Sequence, residues 1–336
     1  MELQDRAMLM SLGISQWTAR KLDKKASAGT AALYNTETTE VSTYKSTVSK
    51  KHLDKIQKIV GAARTMHYRY TTPYPSIKGQ AVLATKMLPE YLKEGAKLNR
   101  EFQNAVREFL SIYDDVRVEA RVALGEIYND FDYPSVDELA RKFRMTFDPS
   151  PLPVGKHFSI PIDAEALAEM QAEIEERATE AFRESVAELW GRVYAVATAL
   201  AERMEPDPSG KDKVFRDSVV DNITELAEIL PKMNIAGDPN LDAMAERLQK
   251  ELATYEPEKL RIDQTSRKEA LKKAQDIARY AGRQVAAPVS MPAPVAPVVV
   301  APEPVAPVVV EPAIEPAAAS EPENDMLKKM MAAGVI

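Results

Sequence analysis

The sequence contains no cysteine and only three histidines among its 336 residues. Without cysteine, the chain has no disulfide, no thiol nucleophile and no thiolate ligands for zinc or an iron–sulfur cluster. Three scattered histidines are too few for a typical histidine metal site, and no nucleophile elbow, catalytic triad or phosphate-binding loop has its usual spacing. We therefore expect a protein that is not an enzyme, with no cofactor, no metal and no catalytic residues.

Long hydrophobic runs are also missing from the chain. No stretch reaches the roughly 18 consecutive apolar residues that a membrane-spanning helix needs. Residues 1–12 mix acidic side chains and an arginine with apolar ones, unlike the basic and then apolar segments of a signal peptide. These absences predict a cytoplasmic protein with no membrane partner.

Glycine and aromatic residues are scarce, whereas charged residues are abundant. The 12 glycines, 7% aromatic and 28% charged residues are typical of a helical protein. Apolar residues recur at heptad-like spacing over about 88–130 and 163–204, which predicts two long helices with coiled-coil packing, the second capped by Asp163. Neither helix is stable alone, so we expect a mainly α fold, an elongated helical bundle built on an antiparallel hairpin of these two helices.

The segment between the two predicted helices, residues 131–162, is not helical throughout. Ser135 and Glu138 have the spacing of a capping box, which predicts the start of a short helix. Two short β-compatible runs, 143–147 and 157–162, flank a proline-rich connection. We expect these runs to pair as a small β-hairpin at the tip of the long helical hairpin.

The distribution of charge and proline divides the chain into five regions. A basic helical N-terminal region and an acidic helical region flank the long hairpin, and a Pro/Ala/Val-rich linker leads to a short amphipathic terminal peptide. In chain order, the predicted regions are residues 1–87, 88–205, 206–285, 286–323 and 324–336.

Positive charge is concentrated in residues 1–100. This part holds 17 Lys and Arg against 8 Asp and Glu, a balance of +9, whereas the remaining 27 basic and 43 acidic residues give −16. Basic side chains contact phosphates and tyrosines stack on bases, so the basic segment, residues 45–74, is a candidate nucleic-acid or partner contact. Its candidate residues are Lys50, Lys51, Lys55, Lys58, Arg64, Arg69, Tyr68, Tyr70 and Tyr74. Alternatively, the lysines cover the solvated face of a helix and the basic segment docks on the acidic region.

The C-terminal part of the chain is rich in proline. Ten of the 23 prolines lie between residues 288 and 322, a composition that favours an extended, disordered linker. The last residues then predict a short helix with one apolar face, formed by Met326, Leu327, Met330 and Met331. Such a tethered segment is a candidate docking peptide for a partner's groove, and a frayed terminus without a role is the alternative.

Several short motifs have a combination that points to a known family. They are residues 13–22, Leu88-Pro89 with Tyr91, Leu124-Gly125, Asp132-Tyr133-Pro134 and the loop 151–153. Together they resemble a domain-of-unknown-function family of tailed phages and mobile elements, over about residues 10–285. Genes of that family often lie near a MoxR-type AAA+ ATPase and a von Willebrand A-like protein similar to cobaltochelatase subunits. The resemblance implies a phage origin and a bacterial host cytoplasm, and it supplies no catalytic residues.

These observations predict a non-catalytic helical adaptor or scaffold protein that works with a protein partner. The family resemblance implies that this partner is a MoxR-type AAA+ ATPase. One alternative is a nucleic-acid-associated protein of phage replication or recombination that uses the basic segment. Another is a structural phage protein, and the sequence predicts no particular oligomeric state.

Overall fold

Helices form most of the structure, a computed structural model that describes residues 3–153, 155, 163–206, 213 and 215–286. The mainly α class is confirmed. The helices are α1 (Leu3–Arg6), α2 (Lys24–Leu33), α3 (Asp54–Tyr70), α4 (Leu88–Ser111), α5 (Tyr113–Leu124), α6 (Val136–Ala140), α7 (Ala164–Met204), α8 (Ser218–Met233), α9 (Pro239–Arg247), α10 (Pro257–Ile262) and α11 (Gln264–Ala286). A π-helical turn, Leu248–Leu252, follows α9 directly.

Antiparallel strands form a sheet and a separate ribbon beside the helices. The strands are β1 (Ala7–Ser15), β2 (Arg20–Leu22), β3 (Tyr44–Ser46), β4 (Thr71–Pro73), β5 (Gln80–Ala84) and β6 (Arg144–Ser150). Four of the described strands form one sheet in the order β4-β5-β1-β6, and β2 pairs with β3 as a two-stranded ribbon. The N-terminal region, expected to be helical, therefore also contains β1 to β5.

The central strand β1 explains why the sequence pattern missed the sheet. It pairs with β5 on one side and with β6 on the other. Ala7, Leu9 and Met10 are buried, and Met8 is partly buried against the same core. A strand covered on both faces has a continuous apolar run instead of an alternating one, and such a short run does not distinguish strand from helix.

Strand β6 contains most of the first of the two runs that were predicted to form a hairpin within residues 131–162. The run at 143–147 is extended as expected, but it pairs with β1 in a register that places Phe147 opposite Leu12. The second run, 157–162, lies outside the described residues. Among the described strands, β6 lies at the edge of the sheet, a position where Pro149 is tolerated. Its partner β1 is distant in the sequence, which local pairing rules do not consider.

The predicted long helices are only partly as expected. α7 is a single helix of 41 residues, and the Asp163 side chain accepts a hydrogen bond from the Glu165 amide as its cap. The first predicted helix divides at Ile112 into α4 and α5, and the Tyr113 hydroxyl at the start of α5 donates to the Pro134 carbonyl at 3.2 Å. The capping box of Ser135 and Glu138 is present as predicted.

Each long helix packs most extensively against an element other than the one predicted. α7 lies along α11, with further contacts to α8 and β4, while α4 lies along α3 and also contacts β6. Gly95 of α4 permits the close approach to β6, since a Cβ atom built there is 3.4 Å from the Phe147 ring. The specific pairing of the two predicted helices as an antiparallel hairpin is therefore not confirmed.

One buried apolar cluster connects the sheet and the helices. It includes the large side chains of Tyr91, Phe102, Phe182 and Trp190, and it continues through α8, α9 and α11. All described residues belong to one compact unit, residues 1–292.

Arg192 on α7 joins this long helix to the first half of the chain. Its side chain is buried, with 8% of the residue exposed. The guanidinium donates to the Arg69 carbonyl at 3.2 Å and to the Thr71 carbonyl at 2.6 Å, and also to Glu188 at 3.1 Å. It also stacks over the Tyr68 ring at 4.2 Å. Arg192 thus satisfies the carbonyl groups where α3 ends and β4 begins.

Replacing Arg192 by lysine is expected to lower the free energy of unfolding by about 2–4 kcal/mol, because one ammonium cannot reach both carbonyls and leaves a buried acceptor unpaired. Urea unfolding followed by circular dichroism measures the change. The matched control is Arg183→Lys on the same helix, where an exposed arginine pairs with Glu180; its expected effect is below about 0.5 kcal/mol. Equal losses in the two variants would contradict the structural role of Arg192.

Candidate functional site

The basic segment lies on α3, the turn before it and the strand after it. Lys51 and Lys55 form ion pairs with Glu119 of α5 and Glu108 of α4, respectively. Hydrogen bonds from Lys51 and His52 lower the pKa of the Glu119 carboxyl. These pairs are exposed, so each contributes little to stability. They do, however, direct two of the predicted contact lysines toward the protein's own helices.

Arg69 and Tyr70 lie where α3 meets α4 and α8. The Arg69 guanidinium pairs with Glu94 of α4 and with Glu225 of α8. The Tyr70 hydroxyl donates to the same Glu94 carboxylate at 2.9 Å, and its ring packs edge-on against Tyr91. Burial is the main cause of the raised pKa of Tyr70. Both side chains therefore connect helices rather than face a ligand.

The two remaining candidate tyrosines are also used within the fold. The Tyr68 ring lies under the Arg192 guanidinium, and its hydroxyl donates to Glu188 at 2.8 Å. Tyr74 follows β4 and is buried, with 4% of its surface exposed. A buried tyrosine cannot stack on a base without rearrangement of the core, which excludes Tyr74. Tyr68 is 57% exposed, but the Arg192 guanidinium covers one face of its ring and Glu188 engages its hydroxyl.

Lys50, Lys58 and Arg64 complete the predicted set. They are exposed and have no ion pair among the residues that the structure describes. The predicted contact is thus divided: six of its side chains hold the basic segment to the rest of the fold or lie in the core, and three face solvent. The predicted docking peptide of Met326, Leu327, Met330 and Met331 lies outside the described residues.

A different feature, the phenylalanine at position 131, is prominent on the surface. Phe131 is 96% exposed, in a short 3₁₀ turn, Asp130–Asp132, between α5 and α6. Single exposed apolar side chains are common in proteins, but an almost fully exposed phenylalanine is a large apolar group to leave in water.

The turn that carries Phe131 is held from both sides. Asp130 accepts hydrogen bonds from Arg121 of α5 at 3.0 Å and from the Tyr128 hydroxyl at 2.8 Å. These contacts lower the pKa of Asp130, with the Tyr128 hydrogen bond as the largest cause. On the other side, the Lys45 ammonium of β3 lies 2.8 Å from the Asp132 carboxylate. Phe131 is therefore presented on an anchored turn.

The tyrosines beside this turn connect it to the core. The ring of Tyr128 stacks on the ring of Tyr133 with their centroids 5.0 Å apart. The Tyr133 hydroxyl donates to the buried Thr47 carbonyl at 2.7 Å, and burial is the largest cause that raises the pKa of Tyr133 to about 12. The Asn129 side chain accepts from the Phe131 amide at 3.1 Å and so caps the turn.

Further exposed apolar side chains lie on α5 and directly before the Phe131 turn. Val118 and Val122, 67% and 82% exposed, lie one turn apart on α5, on the same face as Arg121, which contacts the Phe131 turn. Ile127, which precedes the turn, is also exposed. We call Val118, Val122, Ile127 and Phe131 the Phe131 surface.

Sequence reasoning did not identify the Phe131 surface. The seam of apolar residues on α5 correctly placed Val116 and Ala120 in the interior, and the two valines on the opposite face then lay outside the pattern. For Phe131, the available signal was a phenylalanine between turn-forming residues, Asn129 and Asp130 before it and Pro134 after it. A turn favours surface exposure, but it does not say which of its side chains faces out.

His67 on α3 is a partly buried titratable group of a different kind. Its Nδ1 atom lies 2.7 Å from the hydroxyl of Tyr91, a fully buried residue of α4. Burial lowers the pKa of His67 and raises that of Tyr91. Both groups are therefore neutral at neutral pH, and the pair contributes to the packing between α3 and α4.

Comparisons of the chain with models of protein families, with curated proteins and with solved structures find no match. Within the described ranges, no group of three or more His, Asp or Glu side chains is arranged to hold a metal ion. In the same part of the chain, each helix is too short or too polar to cross a lipid bilayer.

Acid is expected to destabilise the protein through His67. Since the pKa of His67 is lower in the folded state, the unfolded state binds a proton first, and the free energy of unfolding falls as the pH drops below about 6.5. Urea unfolding between pH 7 and 5.5 should show this loss, and His67→Gln should reduce its slope. Tyr91→Phe keeps the histidine buried and should keep the slope, so a flattened slope in Tyr91→Phe alone would contradict burial as the cause.

Proposed function

We propose that the chain is a non-catalytic adaptor that binds a protein partner through the Phe131 surface. The observation that carries this proposal is the 96% exposure of Phe131 on a turn that is anchored by ion pairs on both sides. When a partner covers an apolar ring and removes it from water, the free energy of the system falls, which favours binding. Because the turn is already fixed, little conformational entropy is lost on binding.

The use of the ionisable side chains supports a binding role over a catalytic one. His67, Tyr91 and Tyr133 have altered pKa values because they are buried in contacts within the core. Catalytic groups with shifted pKa values normally face a cleft that a substrate can enter. The shifted groups here connect helices and turns to each other.

The partner that we propose first is a MoxR-type AAA+ ATPase, since the family resemblance implies that association. The chemistry of the Phe131 surface requires an apolar pocket on that partner, large enough for an aromatic ring and bordered by a flatter apolar area for Val118 and Val122. Aromatic anchors in such pockets commonly provide most of the binding energy of an interface.

The substitution Phe131→Ser tests this proposal in the full-length protein. It is expected to weaken binding to a purified MoxR-type ATPase from the same genome at least tenfold, measured by isothermal titration calorimetry, because the apolar anchor is lost. Thermal unfolding should be unchanged, since the ring makes no buried contact. The matched control is Ile262→Ser in α10, an isoleucine that is 83% exposed and is expected to leave the affinity unchanged.

Two results would contradict the proposed surface. Equal affinities of the wild type and Phe131→Ser would remove Phe131 as the contact. Loss of binding in a chain that ends at residue 286, with no effect of Phe131→Ser, would assign the contact to the terminal segment that contains Met326 and Met330 instead.

A further inference from the structure

Part of the positive charge of the N-terminal region lies on the ribbon of β2 and β3. In this antiparallel pair Arg20 lies opposite Ser46, Lys21 opposite Lys45, and Leu22 opposite Tyr44. Side chains that are directly opposite share a face, so Arg20, Leu22 and Tyr44 point to one side and the lysines to the other.

The inner face of the ribbon is held to the protein by Lys45. Its ammonium lies 2.8 Å from the Asp132 carboxylate and 3.6 Å from that of Asp23, with 10% of the side chain exposed. The Asp23 side chain also caps α2 by accepting a hydrogen bond from the Ala26 amide. Asp132 and Asp23 are therefore already engaged, and neither forms an ion pair with Arg20, Lys21, Lys24 or Lys25.

Four cations at the ribbon and the start of α2 lack acidic partners. Arg20, Lys21, Lys24 and Lys25 are exposed, and none of them has an ion pair with any residue that the structure describes. They fall within six positions of the chain. In the basic segment, by contrast, Lys51, Lys55 and Arg69 contact glutamates of other helices, and only part of the set, Lys50, Lys58 and Arg64, is exposed without an ion pair among the described residues.

The position of these cations does not favour folding. Lys24 and Lys25 occupy the first turn of α2, where the helix dipole favours acidic residues. At the base of the ribbon, Ala19 has a left-handed backbone with a φ of 52°, a conformation that costs a residue with a Cβ atom roughly 1–2 kcal/mol. Hydrogen bonds from Thr47 to the Ala19 carbonyl hold it there. Local strain and unpaired charge of one sign at a single place are typical of a binding surface.

An aromatic ring lies beside one of these cations, Arg20. Tyr44 is 53% exposed on the outer face of the ribbon, and the Arg20 guanidinium lies over its ring at 5.1 Å. Unlike Tyr70 and Tyr74, this tyrosine has a surface available for stacking. Exposed aromatic rings beside cations that contact a phosphate backbone are the usual elements of a site for single-stranded nucleic acid.

We propose that the ribbon and the start of α2 bind a single strand of nucleic acid. Arg20, Lys24 and Lys25 contact its phosphates, Lys21 on the other face of the ribbon adds to the positive potential, and a base stacks on Tyr44. An unpaired strand fits better than a duplex, because stacking on Tyr44 requires a base that is not enclosed between its neighbours. The site is separate from the basic segment, and the proposal does not depend on the protein partner of the Phe131 surface.

Binding of a fluorescein-labelled oligothymidylate of 20 nucleotides to the full-length protein, followed by fluorescence anisotropy, tests the proposal. The wild type is expected to bind at 50 mM salt, and its affinity is expected to fall steeply toward 200 mM. A plot of log affinity against log salt concentration should have a slope of about −0.7 for each phosphate contact. Changing Arg20, Lys21, Lys24 and Lys25 together to glutamine is expected to weaken binding at least tenfold and to reduce that slope.

A matched control removes the same charge elsewhere. Lys50, Lys58, Lys93 and Arg64 are exposed, have no ion pair among the described residues, and also comprise three lysines and one arginine. Their joint replacement by glutamine gives the same net charge and is expected to change the affinity less than threefold. Circular dichroism should show that neither variant is less stable than the wild type, since the changed side chains make no ion pairs among the described residues.

The role of Tyr44 is tested by a pair of variants. Tyr44→Phe keeps the ring and should retain the affinity. Tyr44→Leu keeps an apolar side chain but removes the ring, so the affinity should fall about tenfold because stacking is lost. An unlabelled duplex of the same length should compete more weakly than the single strand, and an oligouridylate of equal length should compete about as well as the oligothymidylate.

Three outcomes would overturn the proposal. The first is the absence of binding by the wild type at 50 mM salt. The second is an equal loss of affinity in the two glutamine variants, which would show that binding depends on net charge alone. The third is displacement of the oligonucleotide by poly-L-glutamate at equal charge concentration, which would assign the surface to an acidic protein. None of these outcomes bears on the Phe131 surface, because the assay contains no protein partner.

Discussion

The fold depends on a buried guanidinium, that of Arg192. Elements distant in the sequence meet at this side chain, because its donors satisfy the carbonyls of Arg69 and Thr71 while its plane covers the ring of Tyr68. A hydrophobic side chain could fill the same volume, but it would leave two acceptors without partners. The requirement for a paired charge at this point places α7 beside the junction of α3 and β4, and α7 in turn supports α11 and α8.

The parts of the fold that depend on neighbouring residues were readable from the sequence, and the parts that depend on distant partners were not. The length of α7, its Asp163 cap and the capping box at Ser135 all follow from spacing within a few residues. The pairing of β1 with β6 joins residues more than a hundred positions apart, and no local pattern encodes it. For the candidate surfaces, composition identified the residue types, but only packing decides that Tyr70 is buried and Phe131 is exposed.

The basic N-terminal region uses its charge in two different ways. On α3, cations such as Lys55 and Arg69 pair with glutamates of the helices that follow in the chain, so their charge serves the assembly of the fold. On the ribbon and α2, cations such as Arg20 and Lys24 face solvent without partners among the described residues. Net charge over a hundred residues cannot separate these uses, because it counts paired and unpaired cations equally.

The strand order also has a consequence for synthesis of the chain. β1 can pair with β5 soon after residue 84 has emerged from the ribosome, but its other edge stays open until β6 at residues 144–150 follows. At about 5–20 residues per second, this interval lasts about 3–12 s. During that time the nascent chain exposes the backbone donors and acceptors of an apolar strand, which are prone to pair with another chain. The second edge of β1 is therefore open to pairing with another chain until β6 is complete.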